Sequence, residues 1–407
     1  MDNAPTGSTR AASREEITPL IEMCKAGQLF EVQRWVASGK TVNMPPPPPK
    51  RRRPKSPLEY AIARGFHSLV QVLLEAGAIQ EPEGDGSPME QALALRRFDI
   101  VQLLVEHGFD AAAIDMDLVF DTCDPQIMEF FIDHGADIHA RHPFARALCN
   151  RVRTALGVYK RYRLRDESVQ EQADIALRHH CFDGNMKWVS LLLWADADPL
   201  SEGPSGPAEP PYEDEDGCLS ALELAALGGH FEVFELKPVR SRLNGPVAVK
   251  MLGDLNRGKG VEIMERLLAQ GIDPNDPATG GCSAISRCIE AMTCIWLGRG
   301  SDIPRVNYSP NTNKVDTDTT RDMLKAIHLL AKHGGKWRPA DKSEIQSARR
   351  SLLQLTPDYT VEFVWIMWKY GGCDRDSILE LLRTPSIRSH TQEHRARLNE
   401  LLGDWKE

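Results

Sequence analysis

The feature that most constrains this chain is a short pattern that recurs along it. In its clearest copy, Ser56-Pro57-Leu58-Glu59-Tyr60-Ala61-Ile62-Ala63-Arg64-Gly65 is followed by Leu69-Val70-Gln71-Val72-Leu73-Leu74-Glu75-Ala76-Gly77-Ala78. Ser56 suits the residue before a helix, and Pro57 suits its first position, where a missing N–H costs nothing. Leu58, Ala61 and Ile62 share one helical face, and small Ala61 admits a close neighbour. Gly65 and Gly77 can take the left-handed backbone that ends a helix. Helices this short do not hold alone in water, so copies must stack to bury their apolar faces.

The frame returns. Thr18-Pro19-Leu20 leads through Gly27 to Trp35-Val36 and Gly39, and Ser87-Pro88-Met89 leads to residues 100–104 and Gly108. Worn copies close at Gly135, at Asp196 (an aspartate where Gly is expected), at Gly271, at Gly334 and at Gly371. Ser220-Ala221-Leu222-Glu223-Leu224-Ala225-Ala226 opens another, whose second half breaks at Lys237-Pro238 and has no closing Gly. This pattern resembles the ankyrin repeat, with its T-P-L-H-x-A opening. About nine copies span residues 18–372.

Four segments interrupt the period: residues 44–55, 143–172, 201–217 and 298–319. The first holds Pro45 to Pro49, a stiff polyproline strut, then a basic cluster of Lys50, Arg51, Arg52, Arg53 and Lys55. The second is basic, and either an overlong first helix or a loop. The third carries Glu213-Asp214-Glu215-Asp216 and reads as a disordered acidic loop. The predicted organisation is a disordered 1–16, N-terminal repeats over 17–140, central repeats over 141–236, degenerate repeats over 237–372, and capping helices over 373–407.

Composition narrows the class. Hydrophobic residues make up 42% of 407, enough for real burial, and the net charge of −9 disfavours nucleic-acid binding by the whole surface. Nine scattered cysteines read as reduced thiols. No apolar run reaches signal-peptide or membrane-span length. The expectation is a soluble cytoplasmic protein, nuclear in a eukaryote if the cluster at Lys50 is an import signal, and without membrane contact.

Catalysis finds no support. There is no G-x-S-x-G elbow, P-loop or G-x-G-x-x-G after a strand. His179, His180 and Cys181 are adjacent and point apart on a helix, and the Cys282, Cys288 and Cys294 spacing spreads over different faces, so no metal is expected. No catalytic, cofactor or metal residue is assigned. Arg151, Arg153, Lys160, Arg161, Arg163 and Arg165 interleave with Tyr159 and Tyr162. Such a stretch either grips a polyanion, the aromatics stacking on bases, or is a solvated helix face. The Lys50 cluster has the same two readings.

The resemblance implies an all-α solenoid of stacked helix-turn-helix units with C-terminal capping helices. It implies a non-enzymatic scaffold that binds a protein through its hairpin tips and concave helix face. A His after the turn Gly, such as His67 or His230, would tie neighbouring turns. The tips fall at residues 78–82, 110–113, 137–141, 196–200 and 273–276, giving Asp110, Asp137, His139, Arg141, Asp196, Asp198, Asp273 and Asn275 as partner-binding candidates, with Trp194 as an exposed anchor. The alternatives are a regulatory subunit of an enzyme, toxin or defence complex, and a polyanion contact through the basic segments.

Overall fold

A computed structural model describes residues 10–46, 54–80, 87–206, 219–243, 245–276, 283–297, 317–337, 339, 342–352, 355–382 and 392–402. These residues are mostly helical, and the one sheet among them is a two-stranded ladder. The chain divides into two compact units, one running to Ala173 and one from Asp174 onward.

The first unit holds α1 (Arg14–Ala26), α2 (Leu29–Ala37), α3 (Pro57–Ala63), α4 (His67–Glu75), α5 (Pro88–Ala94), α6 (Phe98–Glu106), α7 (Met116–Asp121), α8 (Pro125–Asp133), α9 (Pro143–Cys149) and α10 (Arg153–Tyr162). Helices α1, α3, α5, α7 and α9 pack successively on one another. Their partners form a second row: α2 packs on α4, α4 on α6, and α8 on α10. The Phe98 and Phe130 rings join α6 to α8 edge to face at 5.3 Å. The reason is burial. The fourth and fifth residues after four of the turns, Leu69-Val70, Ile100-Val101, Ile127-Met128 and Ala155-Leu156, are all buried.

Each pair turns through a left-handed residue: Gly27, Gly65, Arg96, Cys123 and Arg151. Gly closes the pair at Gly39, Gly77, Gly108 and Gly135. Ser56 and Ser87 accept from the backbone N–H of Glu59 and Glu90, whose carboxylates accept in return from the serine N–H groups. These reciprocal caps fix where α3 and α5 begin.

The second unit continues the alternation. Helix α11 (Ser168–Phe182) crosses the division, followed by α12 (Met186–Trp194), strands β1 (Glu202–Gly203) and β2 (Leu219–Ser220), α13 (Ala221–Gly228), α14 (Lys237–Arg240), α15 (Gly245–Met251), α16 (Lys259–Ala269), α17 (Ala284–Leu297), α18 (Thr317–Lys332), α19 (Lys342–Leu352), α20 (Pro357–Lys369), α21 (Arg375–Leu382) and α22 (Gln392–Leu402). Helices α13, α15, α17, α19 and α21 pack in one row, and α16, α18, α20 and α22 in the other. Asp196, φ 64°, takes the left-handed closing position expected of it, and Gly271, Gly334 and Gly371 do the same. Helices α21 and α22 occupy the two C-terminal segments.

The structure differs from the sequence reading in four places. Helix α1 starts at Arg14, capped by Ser13, so Pro19 lies inside it and not at its start. Chain placed in the expected disordered stretch includes Arg10, which donates to the Met44 carbonyl at 3.2 Å. Residues 143–172 are no loop or overlong helix: α9 and α10 form a further pair, stacked on α7 and α8. Phe231–Glu235 winds as a tight 3-10 turn where the expected second helix should be, and Pro238 opens the short α14. Residues 47–53, 207–218 and 298–316 lie outside the described residues, and with them Lys50, Arg51, Arg52, Arg53 and the acidic tetrad.

Candidate functional site

The acidic tips are first of all turn makers. Asp110 Oδ1 accepts from Ala112 N–H at 2.9 Å, and Asp137 Oδ1 from His139 N–H at 2.8 Å and Ala140 N–H at 3.1 Å. Asp198 Oδ1 accepts from Leu200 N–H at 3.1 Å and Asp273 Oδ1 from Asn275 N–H at 2.9 Å. Short acidic side chains suit this because they reach their own backbone two residues on. Those backbone donors hold the Asp137 carboxyl below its ordinary value. Asp110, Asp137, Asp196 and Asp273 nonetheless remain exposed.

Asn275 has a different task. Its Nδ2 donates to the Gly334 carbonyl at 2.9 Å and its Oδ1 accepts from Lys336 N–H at 2.8 Å, which joins two successive tips. Asn43, unremarked in the sequence, does the same in the first unit. It donates to Gly77 O at 2.9 Å and accepts from Ile79 N–H at 3.0 Å. Each Asn is the fourth residue after a closing Gly, Gly271 or Gly39, and each reaches the next closing Gly and the N–H two residues beyond it. That spacing is the signal that would have found Asn43.

Turns are tied as well. Arg97 donates to the Gly65 carbonyl, and Arg257 Nη2 to the Leu227 carbonyl at 2.8 Å. A side chain at Gly27 would meet the Phe66 ring at 2.6 Å, and one at Gly184 would meet the His230 ring at 2.3 Å. His230 therefore packs its ring on the turn at Gly184, while Phe66 packs on Gly27 and Arg97 bonds to Gly65 at the other turns.

Of the basic stretch, Arg151 and Arg153 are exposed. Arg161 pairs with Glu129, and Arg165 lies 3.8 Å from Asp133. Tyr159 is fully buried and its hydroxyl donates to Gln170 at 3.0 Å; Tyr162 is buried and donates to Asp133 at 2.6 Å. Burial, and then the Asp133 carboxylate, push the Tyr162 hydroxyl up to about 12. Of the two readings of this stretch, base stacking is closed to Tyr159 and Tyr162, and the solvated face excludes them as well: both rings are core, because α10 turns them into the stack. Lys160 and Arg163 are half-buried, and Lys55 is exposed.

Trp194 is 64% exposed at the end of α12, next to the left-handed Asp196. Arg141 reaches Asp115 at 3.4 Å and Asp117 at 3.7 Å, and Arg242 reaches Asp198 at 3.2 Å. His139 lies 3.3 Å from Asp166 through Nε2 and 3.0 Å from the Ser168 hydroxyl through Nδ1. These residue types make a nucleophilic triad elsewhere, but here the Ser168 hydroxyl donates to Asp166 itself at 2.7 Å. Its hydrogen bonds from Ser168 hold Asp166 below the ordinary carboxylate value.

Sequence reasoning also missed Arg178. It is 1% exposed, and donates to Pro204 O at 2.8 Å and to Ser201 O and Oγ at 2.9 and 3.2 Å. It holds the start of the third interrupting segment against α11. Burial pushes the Cys24, Cys181 and Cys373 thiols up to about 12, away from thiolate chemistry. No group of three or more His, Cys, Asp or Glu placed to hold a metal ion occurs among the described residues.

The first unit also holds a cleft. It lies between α5 and α7, encloses about 510 Å³, and is lined by Gln91, Leu93, Ala94, Arg96, Leu118 and Asp121, among others. Both polar ends of the Gln91 amide are shut off from solvent without a hydrogen-bond partner. An amide so left costs about 1–3 kcal/mol.

No protein-family model matches the chain, and no curated protein matches it.

Proposed function

We propose that this chain is a non-enzymatic, ankyrin-like solenoid that binds a protein partner through its hairpin tips and the adjoining first helices. The carrying observation is the equivalence of the tip linkages, Asn43 to Gly77 and Ile79 in one unit, Asn275 to Gly334 and Lys336 in the other. Two tips built alike far apart in the chain are what a repeat array requires. The polar groups with chemical potential are largely consumed in joining one pair to the next. What faces outward is a set of charges, Asp110, Asp137, Arg141 and Asp196, and the ring of Trp194. A large exposed aromatic beside charges is the usual composition of a protein-binding anchor.

The reading includes a reducing, cytoplasmic setting, which the protonated buried cysteines favour. It gives the nucleic-acid alternative little support, since the aromatic residues of the basic stretch are buried and two of its arginines face carboxylates. The test is a partner captured on the full chain, compared with Trp194→Ala and with Asp137→Asn plus Arg141→Gln. Each variant is expected to keep its fold and weaken binding at least tenfold. Unchanged binding would reject the tips as the contact surface.

A further inference from the structure

We infer that the cleft between α5 and α7 is a docking slot for an extended peptide segment of the partner, one that carries an apolar residue flanked by an acidic and a basic residue. The inference deepens the scaffold reading and rests on it. Three observations lead there.

The first is the amide of Gln91, a donor and an acceptor held together without partners at the wall of the cleft. A peptide group offers the matching acceptor and donor. A Gln91 side chain that turned outward onto a peptide backbone would satisfy both of its own ends and both of the ligand's.

The second is charge. Arg96 and Asp121 line the same cleft and are exposed, and neither has a side-chain partner among the described residues. Three neighbouring arginines are paired instead: Arg97 is tied to Asp99, Arg141 to Asp115, and Arg146 to Asp117. One cation and one anion left open across a cleft fit a ligand that carries both signs. Ala94 and exposed Leu118 between them offer an apolar seat.

The third is the backbone of Arg96. It has φ 54° at a position where Gly27 and Gly65 stand in the preceding pairs. An arginine there is strained, and its side chain supplies nothing to the fold that a hydrogen bond or ion pair records. Cys123 and Arg151 share that backbone at the equivalent turns, but of the three Arg96 is the one that lines this cleft, where it offers a cation to an anionic group.

The test uses the full chain with photoreactive benzoylphenylalanine in place of Leu118 or, separately, of Asp137 on a tip. Irradiation in host extract, followed by mass spectrometry, maps the cross-linked residue of the partner. The mapped segment is then made as a synthetic peptide. Its affinity is read by fluorescence anisotropy against the wild type, Gln91→Leu and Arg96→Gly. The expected result is a cross-link from position 118 into an extended, mixed-charge segment whose peptide binds at least tenfold more weakly to both variants. Arg96→Gly is expected to be no less stable than the wild type, which separates lost binding from lost fold. A cross-link from position 137 and none from position 118 would overturn the slot and leave the scaffold reading standing. Silence at both positions would overturn both. A segment from position 118 whose peptide binds the variants as well as the wild type would also overturn the slot.

Discussion

Paired substitutions at equivalent turns, Gly65→Ala and Arg96→Gly, should move stability in opposite directions. Gly65 has φ 69°, where a side chain costs about 1–2 kcal/mol. Its new methyl would also fall 2.7 Å from Arg97 Nη1, the group that donates to the Gly65 carbonyl. Moving that guanidinium forfeits a hydrogen bond of about 1 kcal/mol. Against this, alanine narrows the unfolded ensemble by about 0.4–1 kcal/mol. The net loss is about 1–2 kcal/mol. Arg96→Gly runs the same terms backwards: relief of about 1–2 kcal/mol of strain, less about 0.4–1 kcal/mol of unfolded-state entropy, a net gain of about 0.5–1 kcal/mol. Because stacked helix pairs need not unfold in one step, the assay is amide hydrogen exchange read on peptides covering α3 to α6. Each 1.4 kcal/mol is tenfold, so Gly65→Ala should speed local exchange about 5- to 30-fold and Arg96→Gly slow it about 2- to 5-fold. If both substitutions speed exchange, the two turns are not equivalent and the register argument fails.

Other outcomes follow from the same contacts. Arg178→Met should destabilise the second unit by about 3–5 kcal/mol, because it strands the Pro204 and Ser201 carbonyls; limited proteolysis should then cut near residues 201–206. Asn43→Ala and Asn275→Ala should each cost about 1–3 kcal/mol by denaturant unfolding, and similar losses in both units would mark the same linkage. Burial lifts the Asp254 carboxyl to about 6 despite Arg287 at 3.1 Å. The folded state thus holds that proton more tightly than the unfolded chain. Its contribution is most favourable below about pH 4 and falls, by about 3 kcal/mol, as the pH rises through 6. Asp254→Asn should flatten that part of the stability profile, and an unchanged slope would assign it to another group.

Much of the helix pairing was legible because its signals are local. Ser56-Pro57 and Ser87-Pro88 are caps, and Gly65, Gly77 and Gly108 are left-handed stops; these residues are chosen by the backbone of their own turn. Even Asp196 could be read as a stand-in for Gly. Legibility failed where the turn residue gave no such sign. Cys123 and Arg151 sit in the left-handed region with side chains that nothing in their sequence neighbourhood announces, so the α9–α10 pair was read as an interruption. Thr18-Pro19 imitated a helix start, while Ser13, with Glu16 three residues on, was the true one. Tertiary linkage was the least visible: Asn43, Asn275 and Arg178 act on residues 23–61 positions away, and while the spacing from a closing Gly marks the two asparagines, no local pattern marks Arg178. Asp110, Asp137, Asp198 and Asp273 lie at turns, and their carboxylates are explained first by the turns they make.

The central question is whether the exposed tips and Trp194 meet a partner. The direct measurement is affinity capture with cross-linking mass spectrometry on the full chain, alongside Trp194→Ala and the Asp137→Asn, Arg141→Gln variant. The account predicts one stoichiometric protein, cross-linked at the tips or first helices, whose recovery falls in the variants while their helical content is unchanged. A folded wild-type chain that captures nothing, or a partner held equally by all three proteins, would contradict it.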